Sequence, residues 1–397
     1  MRGMKQGGAR MRQILKSIWN VFRKGDNILL LLCVLTSAFG CLVIASATNA
    51  RDSGRYLVIQ IGAIALGVML YVAVSAINID FIAEYRWVLV VFNVGLLLLL
   101  IPFGVDFNSG NRSWLQIPGV PVSIQPAELC KLTFVLIMAS VMAKYQRRIS
   151  SFKAIVAMVI QVGLLVGLNM VLSKDAGVSL IFVFIFAAMA YVGGVSLLWF
   201  LAGGGLIVAA APYVWNNMMD QYQRNRILIL FDPTIDPLGL KERYHSRLSL
   251  QTLTGGGLTG QGLFNGHRTQ IEALPSQHTD YIFSVIGEEL GYLGCLLVIV
   301  LQAAIIARCI QIGSRSHDYL RKMVCYGAAA ALIFQVCSNI GMCAGVTPVI
   351  GLTLPFISYG GSSIVSLFAL LGLVSGVHAK PEPRSHELYV RPPYDLR

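Results

Sequence analysis

Residues 274–307 read LPSQHTDYIFSVIGEELGYLGCLLVIVLQAAIIA, a polar approach that ends at Asp280 and becomes an apolar run still carrying Glu288 and Glu289. The run shows no strand-like alternation and is long enough to cross a hydrocarbon core about 30 Å thick, so 281–307 reads as a membrane-spanning helix. Similar runs lie near 27–48, 56–77, 86–104, 124–143, 153–172, 176–194, 196–214, 323–345 and 356–378. Helices satisfy their own backbone groups in lipid, which few other structures do. The expected fold is therefore an all-α polytopic membrane protein with about ten transmembrane helices and a large extracellular loop between helices 7 and 8. Three segments follow: a basic cytoplasmic N-terminal segment 1–26, a membrane domain 27–378 holding the long loop 215–280, and a cytoplasmic tail 379–397.

Composition supports this class. Of 397 residues, 56% are hydrophobic and 13% charged, about half the charged share of a soluble domain. The net charge of +12 invites a nucleic-acid reading, but its distribution argues against one. With ten spans both termini share a side, and that side carries 20 Lys and Arg against ten on the other, six of them in 215–280. Short loops set orientation, so the termini are expected in the cytoplasm of a multi-pass cell-membrane protein, with anionic lipid as a secondary attraction. A cleavable signal peptide competes for the N-terminus, with ASA near 45–47 as its site, but the apolar run is too long for it. The eight cysteines sit in spans or at their ends, without metal spacing, and read as small core residues.

Two outer segments look like more than connectors. VDFNSGNRSWLQIPGVPVS (105–123) centres on Arg112 and Trp114. The 215–280 loop far exceeds an ordinary helix connection. It holds ILILF (227–231), Asp232, Asp236, the cations Arg224, Arg226, Lys241, Arg243 and Arg247, and TGGGLTGQGLFNG (254–266). That glycine run lacks the GK[ST] of a P-loop, leaving a phosphate cradle of backbone N–H groups or a flexible turn. The histidines 245, 267 and 278 are too scattered for a metal site.

Acidic residues are the chemical candidates. On a helix starting near Asp280, Ser284, Gly287, Gly291 and Gly294 would form a shallow stripe beneath the carboxylate. Gly287 and Gly291 make a GxxxG pair suited to helix packing, or the stripe is a groove for a lipid chain. Asp280 fits a helix-dipole partner or a base. Glu288 lies too deep to cap, and ionisable groups at such depth usually mark function. Glu128 and Lys131, at i,i+3 in QPAELCKLTF (125–134), form a second such pair, structural or functional; Asp175 is a further candidate. One carboxylate suits transfer of a sugar from a polyprenyl diphosphate, a good leaving group held by cations or a divalent metal. No obligatory cofactor is expected, with Mg or Mn the candidate cation and no protein metal ligands assigned.

Four motifs carry a resemblance: GNRSWLQIPGVPVSIQPAELCKL (110–132), DAGVSLIF (175–182), LPSQHTDYIFSVIGEELGYLG (274–294) and TPVIGLTLPFISYGGSSIVS (347–366). In that order they resemble the SEDS family, the RodA/FtsW class of shape, elongation, division and sporulation proteins. The resemblance implies a ten-span peptidoglycan glycosyltransferase that polymerises lipid II and works with a class B penicillin-binding transpeptidase. It implies that Asp280 is the base for the acceptor hydroxyl. Glu128 and Lys131 would match the buried charged pair, Arg112 and Trp114 the outer Arg/Trp motif, and Asp175 the Pro-Asp-x-Gly motif. Pro355, Ser358, Gly360, Gly361, Ser362 and Ser363 would match the signature before the last span. Lys131 with Arg224, Arg226, Arg243 and Arg247 is expected to hold diphosphate; Glu288, Gly287 and Gly291 are expected to support the site. Lys174 stands where the family usually has proline, and Ser276 replaces a frequent glutamate. A lipid II flippase or transporter, or a non-catalytic scaffold for a transpeptidase, are the rival readings.

Overall fold

The computed structural model describes residues 25–51, 53–106, 112–116, 123–217, 219, 221–232, 234, 236 and 244–379. Among them, nine helices are long and apolar enough to cross a membrane: α1 (Asn27–Ala47), α2 (Ser53–Ser75), α3 (Arg86–Phe103), α4 (Pro126–Lys144), α5 (Phe152–Leu172), α7 (Leu197–Asn217), α9 (Ile282–Arg315), α10 (Tyr319–Cys343) and α11 (Gly361–Ala379). The shorter apolar helix α6 (Ala176–Val192) is the tenth expected element. Within the long loop lies α8 (Tyr244–Thr254), flanked by the short helices Gln221–Leu228 and His267–Gln270. A two-stranded ribbon, Gly104–Val105 against Trp114–Leu115, was not legible in the sequence.

The chain is a polytopic all-α membrane protein. Helices α4, α10 and α11 form its buried middle, whereas α2, α3 and α5 leave most of their surface to the sides and α7 has no buried residue. Lipid is as apolar as leucine, so close packing rather than water exclusion joins the spans. Accordingly α11 lays Gly372 and Gly376 on the backbone of Tyr71 and Ser75 in α2, where a side chain would collide at Gly372 and be crowded at Gly376. That is a working GxxxG pair. Gly287 and Gly291 also pack closely, but against α8 and the glycine-rich run rather than against another span.

Helix α9 breaks at Gly291, whose φ of 66° and ψ of −162° interrupt the helical ladder. The expected stripe below Asp280 is therefore discontinuous, and it is filled rather than open. Gly287 lies against Leu253 of α8, and Ser284 shares a hydrogen bond of 2.7 Å with Ser249 of the same helix. The groove reading fails because the chain's own loop occupies the stripe.

The glycine-rich run supplies the hydrogen bonds that the broken helix lacks. Gln261 N and Gly262 N donate to the carbonyls of Glu288 and Glu289 at 3.0 and 2.9 Å, while Tyr292 N and Leu293 N donate to Gly257 O and Leu258 O at 2.9 and 3.2 Å. Gly260, at φ 81°, passes so close to Glu289 O that no side chain fits. The run is thus neither a flexible turn nor an open phosphate cradle.

Glu288 and Glu289 answer to the same need. Glu288, fully buried, accepts from Arg268 N at 3.0 Å, Thr269 N at 2.8 Å and Thr269 Oγ1 at 2.7 Å. Glu289 accepts from Ser46 Oγ at 2.7 Å and Gln270 Nε2 at 2.9 Å. Both carboxylates take donors of the loop, and Glu289 takes Ser46 of α1 as well, so together they pin the loop to α9 and α1. At the other end of α1, Asp26 caps Leu29 N at 2.7 Å and receives Arg308 Nη2 of α9 at 2.7 Å. Its own N–H reaches Ser375 Oγ of α11, and Tyr71 of α2 donates to its carbonyl. Asp26, expected at the end of a separate N-terminal segment, belongs to the bundle.

Glu288→Ala strands three donors in the interior, at a cost of about 2–4 kcal/mol. It is expected to lower the thermal unfolding temperature in detergent and to speed proteolytic cleavage in 244–280. Parent values for both would remove Glu288 as the loop's anchor.

Candidate functional site

Asp280 sits in the tight turn before α9, not in the helix: Thr279 N and Tyr281 N both donate to Ser276 O, at 3.1 and 3.3 Å. Ser276 takes φ 56° to make that turn. Three successive carbonyls of the turn are each tied down. Tyr359 N donates to His278 O at 2.9 Å, Ser358 Oγ to Thr279 O at 2.6 Å, and Asn339 Nδ2 to Asp280 O at 2.8 Å. Around it the apolar residues Ile44, Leu274, Phe283, Met342, Leu354 and Ile357 close a second core.

The carboxylate is treated differently from its backbone. Among the described residues no hydrogen bond or ion pair reaches the Asp280 side chain, and part of its surface stays open. Burial, and then the nearby charge of Asp175, pushes its carboxyl up to about 6.

The 347–360 segment lies over this side chain. Ile350 presses on Gly177, beside Asp175, and Gly351 at φ 74° faces Asp280 Oδ2. Three buried carboxamides, one from each of three spans, hold its backbone. Gln60 of α2 donates to Ser358 O and accepts from Gly360 N, both at 3.2 Å. Gln302 of α9 donates to Pro355 O at 2.6 Å, and Asn339 of α10 to Leu352 O at 2.7 Å. Ser358 adds its own bond from Leu354 N at 2.8 Å, Ser363 pairs with Thr353 at 3.2 Å, and Ser362 Oγ accepts from Gln125 N at 3.5 Å. Gly361 opens α11. The signature residues Pro355, Ser358, Gly360, Ser362 and Ser363 therefore shape the loop.

Toward α4, the ammonium of Lys131 meets Glu128 Oε1 at 2.9 Å with both side chains buried, and Ser366 donates to Glu128 Oε2 at 3.0 Å. Asp175 caps α6 through Val178 N at 3.0 Å and accepts from Ser113 Oγ at 3.2 Å. Burial chiefly raises its carboxyl, with the charge of Glu128 adding to the effect. Ser113 brings the neighbouring Arg112 and Trp114 to this side of the bundle; Arg112 is exposed. Lys174 takes φ 56°, an angle that a proline ring forbids, so the turn before Asp175 differs from one built on proline.

The arginines do not act as one cluster. Arg224 is spent on the end of α7, donating to Met219 O at 3.0 Å and Asn216 O at 2.9 Å. Arg226 reaches the 347–360 segment through Val349 O at 3.2 Å. Arg247 is exposed on α8, and Arg243 lies outside the described residues. Sequence reasoning missed Asn339, Gln60, Gln302 and Ser113. For the three carboxamides the signal was an amide side chain within an apolar span, which needs a partner as surely as a charge does; Ser113, in the outer segment, carried no such signal.

The FtsW/RodA/SpoVE family, described as cell cycle protein, matches residues 26–382. The chain is 32% identical over 365 residues to the peptidoglycan glycosyltransferase MrdB of Escherichia coli K12, covering 91% of this chain and 95% of that protein. It is 31% identical to the probable peptidoglycan glycosyltransferase FtsW of Trichlorobacter lovleyi, over 90% of this chain and 94% of that one. The fold matches the rod shape determining protein RodA of Thermus thermophilus with a TM-score of 0.66 at 27% identity, covering 89% of this chain and 96% of RodA. It also matches a chain of a peptidoglycan synthase complex that coordinates polymerization and crosslinking, with a TM-score of 0.76 at 30% identity, covering 89% and 97%. With its four motifs converging on one end of a bundle of this architecture, the chain belongs to the FtsW/RodA/SpoVE family, the SEDS proteins.

Proposed function

We propose that this protein is a peptidoglycan glycosyltransferase that polymerises lipid II, with Asp280 as its base. The observation that carries the role of Asp280 is its carboxylate. The acids Glu128, Asp175, Glu288 and Glu289 are engaged by protein donors, while the Asp280 side chain has none among the described residues. The turn that carries it is fixed at three consecutive carbonyls, of His278, Thr279 and Asp280, so the root of the unpaired side chain is held in place. A carboxyl near 6 is mostly ionised at neutral pH yet basic enough to take a proton from a hydroxyl in the transition state.

The chemistry is a single displacement. Asp280 accepts the proton of the GlcNAc 4-hydroxyl on one lipid II as that oxygen attacks the anomeric carbon of MurNAc on another. The bond from that carbon to undecaprenyl diphosphate breaks, the electron pair leaves with the diphosphate, and configuration inverts. Arg226, at the edge of the 347–360 segment, offers a cation for the departing charge, whereas the expected Lys131 is buried and already neutralised by Glu128; Arg112 and Trp114 offer a docking edge for the sugars. Among the described residues no three His, Cys, Asp or Glu side chains converge to hold a metal, and no step is routed through one.

The distribution of Lys and Arg supports cytoplasmic termini, which puts Asp280 on the extracytoplasmic side of the cell membrane. The complex matched above supports a class B penicillin-binding transpeptidase as partner, with this chain making the glycan that the partner crosslinks.

Asp280→Asn is expected to lower polymerisation of purified lipid II by at least about 100-fold, with the protein still folded. Full activity in that variant would remove Asp280 from the mechanism, and movement of labelled lipid II across liposomes without glycan would favour a flippase. Activity of the parent should rise about tenfold per pH unit below 6 and level off above it, because only the ionised carboxylate accepts the proton. The stability effect has the opposite sign. The folded protein holds this proton more tightly than the unfolded chain, so stability falls as pH rises from about 4 through about 6. Asp280→Asn, lacking that titration, should show a flatter Tm over this window; an unchanged slope would contradict the shift. Polymerisation with and without chelator tests the divalent cation.

A further inference from the structure

We propose that Asn339 is the positioning residue of this active site, setting the distance between Asp280 and the loop segment that faces it. This deepens the reading of Asp280 as the base and rests on it. Asn339 lies on α10 with no exposed surface, so no substrate touches it. Both hydrogens of its amide are used: Nδ2 donates to Asp280 O at 2.8 Å and to Leu352 O at 2.7 Å. Both partners are carbonyls, which fixes the amide's orientation, since only its NH2 can face them.

Those two carbonyls belong to the two segments that must be in register. Asp280 ends the turn before α9; Leu352 follows Gly351, which faces Asp280 Oδ2 closely enough that a Cβ there would lie 3.5 Å from it. One side chain therefore spans the base and the residue opposite it. Few side chains can do the same. Leucine would leave both carbonyls bare, aspartate would oppose them with charge, and serine has one donor. Cys343, one turn further along α10, reaches Asp280 O only at 3.8 Å through a weak thiol donor and cannot replace the amide. The other ties on the turn, from Ser358 and Tyr359, come from the loop itself and move with it. Of these donors only Asn339 and the weakly donating Cys343 stand on a buried span, so it is the amide that refers the base to the rigid bundle.

The test is steady-state polymerisation of lipid II by the full-length protein carrying Asn339→Ala or Asn339→Asp, beside Asp280→Asn. Loss of positioning is expected to lower kcat by about 10- to 100-fold with KM within about twofold. The acid limb of the pH profile should also move down, because water reaching the loosened turn favours the ionised carboxylate, with Asp175 and Cys343 the other titratable groups facing it. Folded Asn339 variants with the parent's kcat and pH profile, next to an inactive Asp280→Asn, overturn the positioning role while leaving the base intact. An active Asp280→Asn overturns the base itself. Where Asn339→Ala does not accumulate, Asn339→Ser, which keeps one donor and admits water, is read the same way: a reduced kcat at unchanged KM supports the proposal, and parent kcat defeats it.

Discussion

A backbone that leaves the helix inside a membrane bundle must find partners for every N–H and C=O it exposes, and this protein leaves the helix three times around one point. The turn 276–281, the glycine run 255–266 and the segment 347–360 all lack continuous helical bonding. Each is satisfied from outside itself. The carbonyls of Glu288 and Glu289 answer N–H groups of the glycine run and their carboxylates those at its end, Gly266 and Thr269, while Asn339, Gln60 and Gln302 answer the carbonyls of the other two stretches. The partners differ because the needs differ. A carboxylate only accepts, so it suits bare N–H groups, and a carboxamide NH2 suits bare carbonyls.

That requirement explains how acidic residues are distributed along the chain. Most of those in or beside the spans serve structure: Glu288 and Glu289 seat the loop, Asp175 caps α6, Glu128 neutralises Lys131, and Asp26 clasps Arg308 at the far end of α1. Burying a charge is costly unless it is paired or hydrogen-bonded; Glu128 and Asp26 meet cations, and Glu288, Glu289 and Asp175 meet neutral donors. Asp280 stands apart because its environment fastens its main chain and leaves its side chain free. The strain of an unpaired, crowded carboxylate appears as its raised proton affinity, the property a base acting near neutral pH needs.

Much was legible in advance. Ten apolar runs correspond to ten helices, nine of them long enough to span and one shorter, with ends within about five residues of those expected except at α9, which runs on to Arg315. The charged pair Glu128 and Lys131 is buried and bonded as its i,i+3 spacing suggested. Local pattern misled where a feature's meaning depended on a distant neighbour. Gly287 and Gly291 do pack closely, but against Leu253 of α8 and the glycine run, with the helix broken at Gly291, while the span-to-span seam is Gly372 and Gly376. Arg224 looked like a diphosphate ligand and caps α7 instead.

The sequence by itself determined the spans, the polytopic class and the candidate base, since these follow from composition and from motifs whose residues are adjacent in the chain. Only the tertiary structure decided which carboxylate stays free and which are consumed, because a side chain's partners come from elements far apart in sequence. Ser46 and Glu289, or Asn339 and Asp280, meet only after the bundle has closed. One-dimensional spacing carries no information about which donor an acceptor will find across a packed interface, and that pairing separates a structural acid from a chemical one.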